Sequence, residues 1–207
     1  MRPDVDRAIR RAQSYWYEDG LTEIAVGCVF GLIGLLFLAE SFLPAGVLPP
    51  GFSALALPIL VVGGGLLARH VVNAVKARIT YPRTGRVTYH RPPRRSKAAA
   101  GVIAAVLAAL SALLLVAAPA PLTWLPALQG LIVGGAFLYV GYRLAVARFY
   151  VLGLLSLLIG LGASLGGLGD PLGSAVYFCA TGAVVVISGV LALLAYLHRN
   201  RPPVEEV

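Results

Sequence analysis

An ionisable residue inside an apolar run is the first place to look for chemistry, because lipid penalises charge unless it is paired or used. This chain offers few. Glu23 opens the first long apolar run and Glu40 closes it, while Arg69 and His70 fall near the end of the second. Glu40 follows Glu23 by 17 positions, about 25 Å along a helix. The two carboxylates therefore belong to opposite membrane faces and not to one substrate site. Glu23 is a candidate for cation or proton transport, or for an ion pair with a basic loop. His70 is a candidate proton carrier, and Arg69 has a stem long enough to snorkel towards headgroups.

The wider search for catalytic patterns is nearly empty. His70, His90 and His198 lie far apart, with no HExxH or HxxEH spacing. No GxSxG elbow or GxxxxGK[ST] loop occurs. Gly63-Gly64-Gly65 and Gly166-Gly167-Leu168-Gly169 do not follow a strand, so they read as packing and turn residues. Cys28 and Cys179 each sit inside an apolar run without a CxxC neighbour, which points to packing and away from a disulfide framework or zinc site. No catalytic residue, metal or cofactor is implied, and the expected role is non-enzymatic.

The densest polar segment is Lys76–Lys97, KARITYPRTGRVTYHRPPRRSK, which contains no Asp or Glu. Ile79-Thr80-Tyr81 and Arg86-Val87-Thr88-Tyr89 are rich in β-branched and aromatic residues. Pro82-Arg83-Thr84-Gly85 between them has turn chemistry. A hairpin-like loop is expected, with Arg83 and Arg86 near its tip and Tyr81 and Gly85 shaping it. A two-stranded hairpin is marginal alone in water, so it would need support from the bundle, the membrane surface or a partner. Pro92-Pro93 closes the loop, and Arg94, Arg95 and Lys97 lead into the next apolar run. Charges of this kind can simply set topology. They can also attract anionic headgroups, at about 1 kcal/mol per basic residue near the surface, or dock an acidic or phosphorylated cytoplasmic protein through Arg forks. Nothing supplies a nucleic-acid recognition module.

These residues must be positioned by membrane helices. The chain has 207 residues, 58% hydrophobic and 13% charged, and a net charge of +8. Soluble domains carry about 25% charged residues. Six apolar runs, near Leu21–Phe42, Phe52–Val75, Ala98–Ala118, Leu122–Tyr142, Phe149–Leu165 and Gly173–Leu197, are each long enough for a helix through a core of about 30 Å. They are continuous and not alternating, which favours helices over barrel strands. Residues 1–20 are expected to form a short amphipathic interfacial helix. Val5, Ala8, Ile9, Ala12 and Trp16 make its apolar stripe, and Asp19-Gly20 makes the following turn. The acids in that segment and the length of the following run argue for an uncleaved first span.

The fold class expected is an all-α polytopic membrane protein: a six-helix transmembrane bundle with a basic cytoplasmic hairpin-like loop. It divides into 1–20 (interfacial segment), 21–75 (first transmembrane hairpin), 76–97 (basic loop), 98–198 (four spans) and 199–207 (tail). All 17 Lys and Arg residues fall on one side of this arrangement, so the positive-inside rule puts both termini in the cytoplasm. Gly27/Gly31, Gly130/Gly134, Ser156/Gly160, Gly162/Gly166 and Gly182/Gly189 are small-residue pairs that let helices approach closely. They serve the bundle itself or association with a second copy. No sequence repeat relates the halves, so an inverted-repeat transporter is not indicated.

Glu18-Asp19-Gly20 directly before a span, with Thr80-Tyr81-Pro82-Arg83-Thr84-Gly85-Arg86-Val87 after the second, resembles a family of uncharacterised bacterial multi-pass membrane proteins. The likeness covers roughly residues 1–90 and implies a bacterial inner-membrane location, without an activity to transfer. The function expected is an accessory or subunit role, binding anionic lipid or an acidic partner through Arg69, Tyr81, Arg83, Gly85, Arg86, Arg94 and Arg95. The alternatives are a small-molecule permease or exporter using Glu23 and His70, and a membrane enzyme acting on lipid.

Overall fold

Backbone polar groups have no partner in lipid, so an apolar run that enters it must satisfy them internally as a helix. A computed structural model of the chain describes residues 17–44, 47, 52–79 and 122–200, and these residues are all-helical apart from their connections. In chain order they form α1 (Leu21–Phe42), α2 (Phe52–Ile79), a 3₁₀ turn (Leu122–Trp124), α3 (Leu125–Leu144), α4 (Ala147–Leu165) and α5 (Leu172–Arg199). Among the described residues, five stretches are long and apolar enough to cross a membrane: Leu21–Phe42, Ala56–Arg78, Leu125–Leu144, Ala147–Leu165 and Leu172–Arg199.

The boundaries differ from the sequence reading chiefly at α2, which runs past Val75 to Ile79. Lys76 and Arg78 are therefore helical, and Ile79 ends a helix where the sequence suggested the start of a strand. The amphipathic segment up to Trp16, the run Ala98–Ala118 and the turn-like segment from Thr80 to Lys97 lie outside the described residues.

Two antiparallel pairs form the bundle: α1 packs along α5, and α3 along α4. Further contacts join α4 to α5 and α3 to α5, and α2 packs mainly against α1. The α1–α5 seam is built on glycine. Gly20, Gly27 and Gly34 recur every seventh residue of α1 and meet α5 at Gly189, Gly182 and the Ala175–Cys179 turn. A Cβ on Gly27 would lie 2.7 Å from the Gly182 carbonyl oxygen, and one on Gly182 would lie 2.8 Å from that of Gly27. A seven-residue repeat keeps one stripe facing its partner over several turns of a left-handed crossing. The heptad glycines carry the seam together with Gly31, whose backbone N lies 2.8 Å from a Cβ placed on Gly182, although a Cβ on Gly31 itself would meet no described atom within 4 Å.

In the second pair, Gly130 faces Ser156 and Gly160, while Gly134 faces Gly153. Among the described residues nothing lies within 4 Å of a Cβ on Gly162. The α3–α4 connection is only Ala145–Val146, with Ala145 in the left-handed region at φ 54°. That tight reversal places Arg148 beside the end of α3. Lys76 near the end of α2 meets Asp19 before α1, and Arg148 after α3 meets Glu23 on α1. Hence α2 ends and α3 ends at the same end of the bundle, and α3 begins at the opposite one.

Candidate functional site

Two ion pairs gather around the start of α1. Tyr17–Gly20 forms a turn whose Gly20 adopts φ 67°, which brings the backbone against the Gly189 carbonyl. Only a residue without Cβ tolerates both the conformation and the approach. The turn directs Asp19 inward, where it is 1% exposed. Its Oδ1 accepts from the Leu21 N–H at 3.3 Å, and its Oδ2 lies 2.9 Å from Lys76 Nζ. Lys76 is itself 2% exposed, so this pair is removed from water on both sides.

One turn further, Glu23 is 3% exposed. Its Oε1 lies 2.7 Å from an Arg148 guanidinium nitrogen, and its Oε2 accepts from the Ser188 hydroxyl at 3.0 Å. The same Arg148 nitrogen donates to the Tyr17 carbonyl. The guanidinium carbon lies 5.5 Å from the centre of the Phe149 ring, and the Tyr17 ring meets that ring edge-on at 5.8 Å. Burial pushes the Tyr17 phenol above its usual range, so it stays neutral. Residues 17–23 thus tie together α2 through Lys76, α4 through Arg148 and α5 through Ser188. A buried pair is costly to assemble and more costly to break, because one partner left alone is an uncompensated charge. The cluster therefore acts as a clamp that holds one relative placement of four helices.

The opposite end has a different chemistry. The Ser174 hydroxyl donates to Asp170 Oδ1 at 2.6 Å and accepts from the Gln129 amide at 2.9 Å. The Tyr177 hydroxyl donates to the Gln129 carbonyl at 3.2 Å and lies 2.8 Å from the Ser156 hydroxyl. Since the phenolic proton is committed to Gln129, Ser156 supplies the proton of that second bond. Ser164 accepts from the Ala127 N–H at 2.9 Å. This neutral ladder links α3, α4 and α5, and Tyr177 at its centre is fully buried.

Of the residues named from sequence, Glu23 is not open to substrate: Arg148 and Ser188 hold it. Its partner Arg148 stands in the first turn of α4, just after the Ala145–Val146 reversal. Arg69 and His70 are exposed on α2, and Arg69 lines a cleft between α1 and α2. The structure does not bring His70 to Glu23. Tyr81, Arg83, Gly85, Arg86, Arg94 and Arg95 lie outside the described residues.

Sequence reasoning missed Asp19, Lys76, Arg148 and Ser188 as one constellation. The available signal was spacing: Asp19 and Glu23 are four apart, so they share a side of the helix entry. Lys76 interrupts an apolar face where solvent exposure would not require a helical continuation. No cluster of His, Cys, Asp and Glu suited to a metal occurs among the described residues. Comparison with family models, curated proteins and solved structures finds no match.

Proposed function

We propose that this chain is a non-enzymatic component of the bacterial inner membrane whose basic cytoplasmic face recruits anionic lipid headgroups or an acidic protein. The observation that supports this reading is where two of the acids at the basic end have gone. Asp19 and Glu23 are consumed by bundle cations, Lys76 and Arg148. They are not spare to neutralise the segment from Arg78 to Lys97, which carries seven bases and no acid. Glu18 is exposed at this end, but on the six-span topology the bases outnumber the acids 17 to seven, so net positive charge is left for an external anion.

The six-span topology belongs to the same proposal. The chain leaves α2 at the basic end and enters α3 at the other, which supports an odd number of crossings between them. Ala98–Ala118 is the apolar run in that interval. Both termini are then cytoplasmic by the positive-inside rule. A reporter fused after Arg201 should be active only as a cytoplasmic fusion; an extracytoplasmic signal would refute the topology.

The recruitment itself is tested with Arg83→Glu/Arg86→Glu. Flotation with vesicles containing phosphatidylglycerol, or pull-down of an acidic protein, should fall several-fold against wild type. Unchanged capture would refute the loop as the contact surface. The permease reading gains less support, because Glu23, the residue that motivated it, is held on both carboxylate oxygens.

A further inference from the structure

The cleft between α1 and α2 has a polarity gradient that the clamp does not use. Its register follows from two fixed points: Lys76 opposes Asp19, and a Cβ on Gly64 would touch Val29 at 3.2 Å. Thr22 and Asn73 therefore lie towards the basic end of the cleft, Val26 and Arg69 further in, and Phe30 and Gly65 deepest. The volume is about 240 Å³, below the roughly 300–1,000 Å³ of pockets for compact small ligands. Its deep wall is carbon. Its polar lining is Thr22 and Asn73 towards the basic end and Arg69 one to two turns further in; among the described residues the Thr22 hydroxyl oxygen is buried without a hydrogen-bond partner.

Arg69 precedes Lys76 by seven residues, about 10 Å along the helix. A snorkelling guanidinium at that depth reaches back towards the headgroup level. Narrow, apolar inside and cationic at the interface is the complement of one lipid chain below a phosphate.

We infer that the α1–α2 cleft is a specific site for one anionic phospholipid, its acyl chain along Val26, Phe30 and Gly65 and its phosphate held by Arg69, Asn73 and Thr22. Arg69 discriminates by charge, since a guanidinium gives paired charge-assisted hydrogen bonds to phosphate oxygens. Gly65 leaves room for the chain: a Cβ there would meet no described residue within 4 Å. The inference rests on the membrane placement proposed above but not on the loop at Arg83 and Arg86.

The test uses the full chain in mild detergent, titrated with phosphatidylglycerol or phosphatidylcholine of equal chain length, with bound lipid counted by native mass spectrometry. Wild type should retain one phosphatidylglycerol in preference to phosphatidylcholine. Arg69→Gln, at an exposed position, should lower phosphatidylglycerol retention about fivefold and leave phosphatidylcholine unchanged. Gly65→Phe should abolish both. Arg83→Glu/Arg86→Glu should leave the retained lipid in place whatever it does to vesicle flotation.

Wild-type retention in both cleft variants would overturn the site. So would loss of the retained lipid in the loop variant alone, which assigns it to the loop and leaves the proposed function standing. A further arm places Gly65→Cys and Ala104→Cys in a Cys28→Ser/Cys179→Ser background. Efficient crosslinking in membranes would mean that the chain itself covers the cleft and would overturn the inference. Absence of that crosslink together with lipid retention supports it.

Discussion

The two ends of the bundle are held by different chemistries. At the basic end, Asp19–Lys76 is an ion pair almost wholly removed from water, and Glu23–Arg148 joins a buried carboxylate to a guanidinium side chain that is 25% exposed. At the other, Gln129, Ser156, Ser174 and Tyr177 form a neutral ladder ending at Asp170. Both link several helices. They differ in what failure costs. A neutral donor that loses its partner leaves one unsatisfied group, whereas a buried charge that loses its partner leaves an uncompensated ion. The basic end should be the switch-like end, intact or broken, and the other should tolerate graded change.

The largest effect should come from splitting an ion pair. Arg148→Ala leaves Glu23 buried with only Ser188 and removes the donor to the Tyr17 carbonyl. It should cost about 3–5 kcal/mol, seen as a large fall in the detergent unfolding midpoint. Adding Glu23→Gln should recover much of that loss, because the pair then becomes neutral. Asp19→Ala should behave similarly, with recovery on adding Lys76→Met. If the double variants were no better than the singles, the clamp would not be electrostatic.

A smaller loss is expected from the seam that connects the ends. Gly27→Ala puts a Cβ 2.7 Å from the Gly182 carbonyl, and overpacking of this kind costs about 1–3 kcal/mol. Gly31→Ala, one turn away and adding a Cβ that meets no described atom within 4 Å, should leave the midpoint unchanged. Equal effects at the two positions would show that helix propensity and not the seam is being measured.

The smallest effect belongs to the neutral ladder. Tyr177→Phe removes the hydroxyl shared by Ser156 and the Gln129 carbonyl. Hydrogen bonds between membrane helices average about 0.6 kcal/mol, so the midpoint should move only slightly. A loss as large as that of Arg148→Ala would erase the contrast between the ends.

Much of the architecture was legible from composition alone. The first apolar run was read as Leu21–Phe42, and α1 has those bounds, because apolar length and flanking turn residues are local properties. The end of α2 was not legible. Lys76 looked like the start of a loop, and only its burial against Asp19 explains why the helix continues to Ile79. Glu23 shows the same division. Its place at the head of a span marked it as needing a partner, but Arg148 lies far along the chain, beyond four apolar runs. The glycine seam was half visible. Gly182 and Gly189 were read as one face, yet the matching stripe at Gly20, Gly27 and Gly34 was passed over for the shorter Gly27/Gly31 spacing.

By itself the sequence determined that this chain carries helices long and apolar enough to cross a membrane, since lipid imposes length and polarity on every segment separately. The tertiary structure alone decided which charges neutralise one another. Pairing depends on the antiparallel register of α1 with α2 and α5 and on the two-residue reversal before Arg148. Register is a property of two helices together, set by which glycines let their backbones meet, and no single segment carries it.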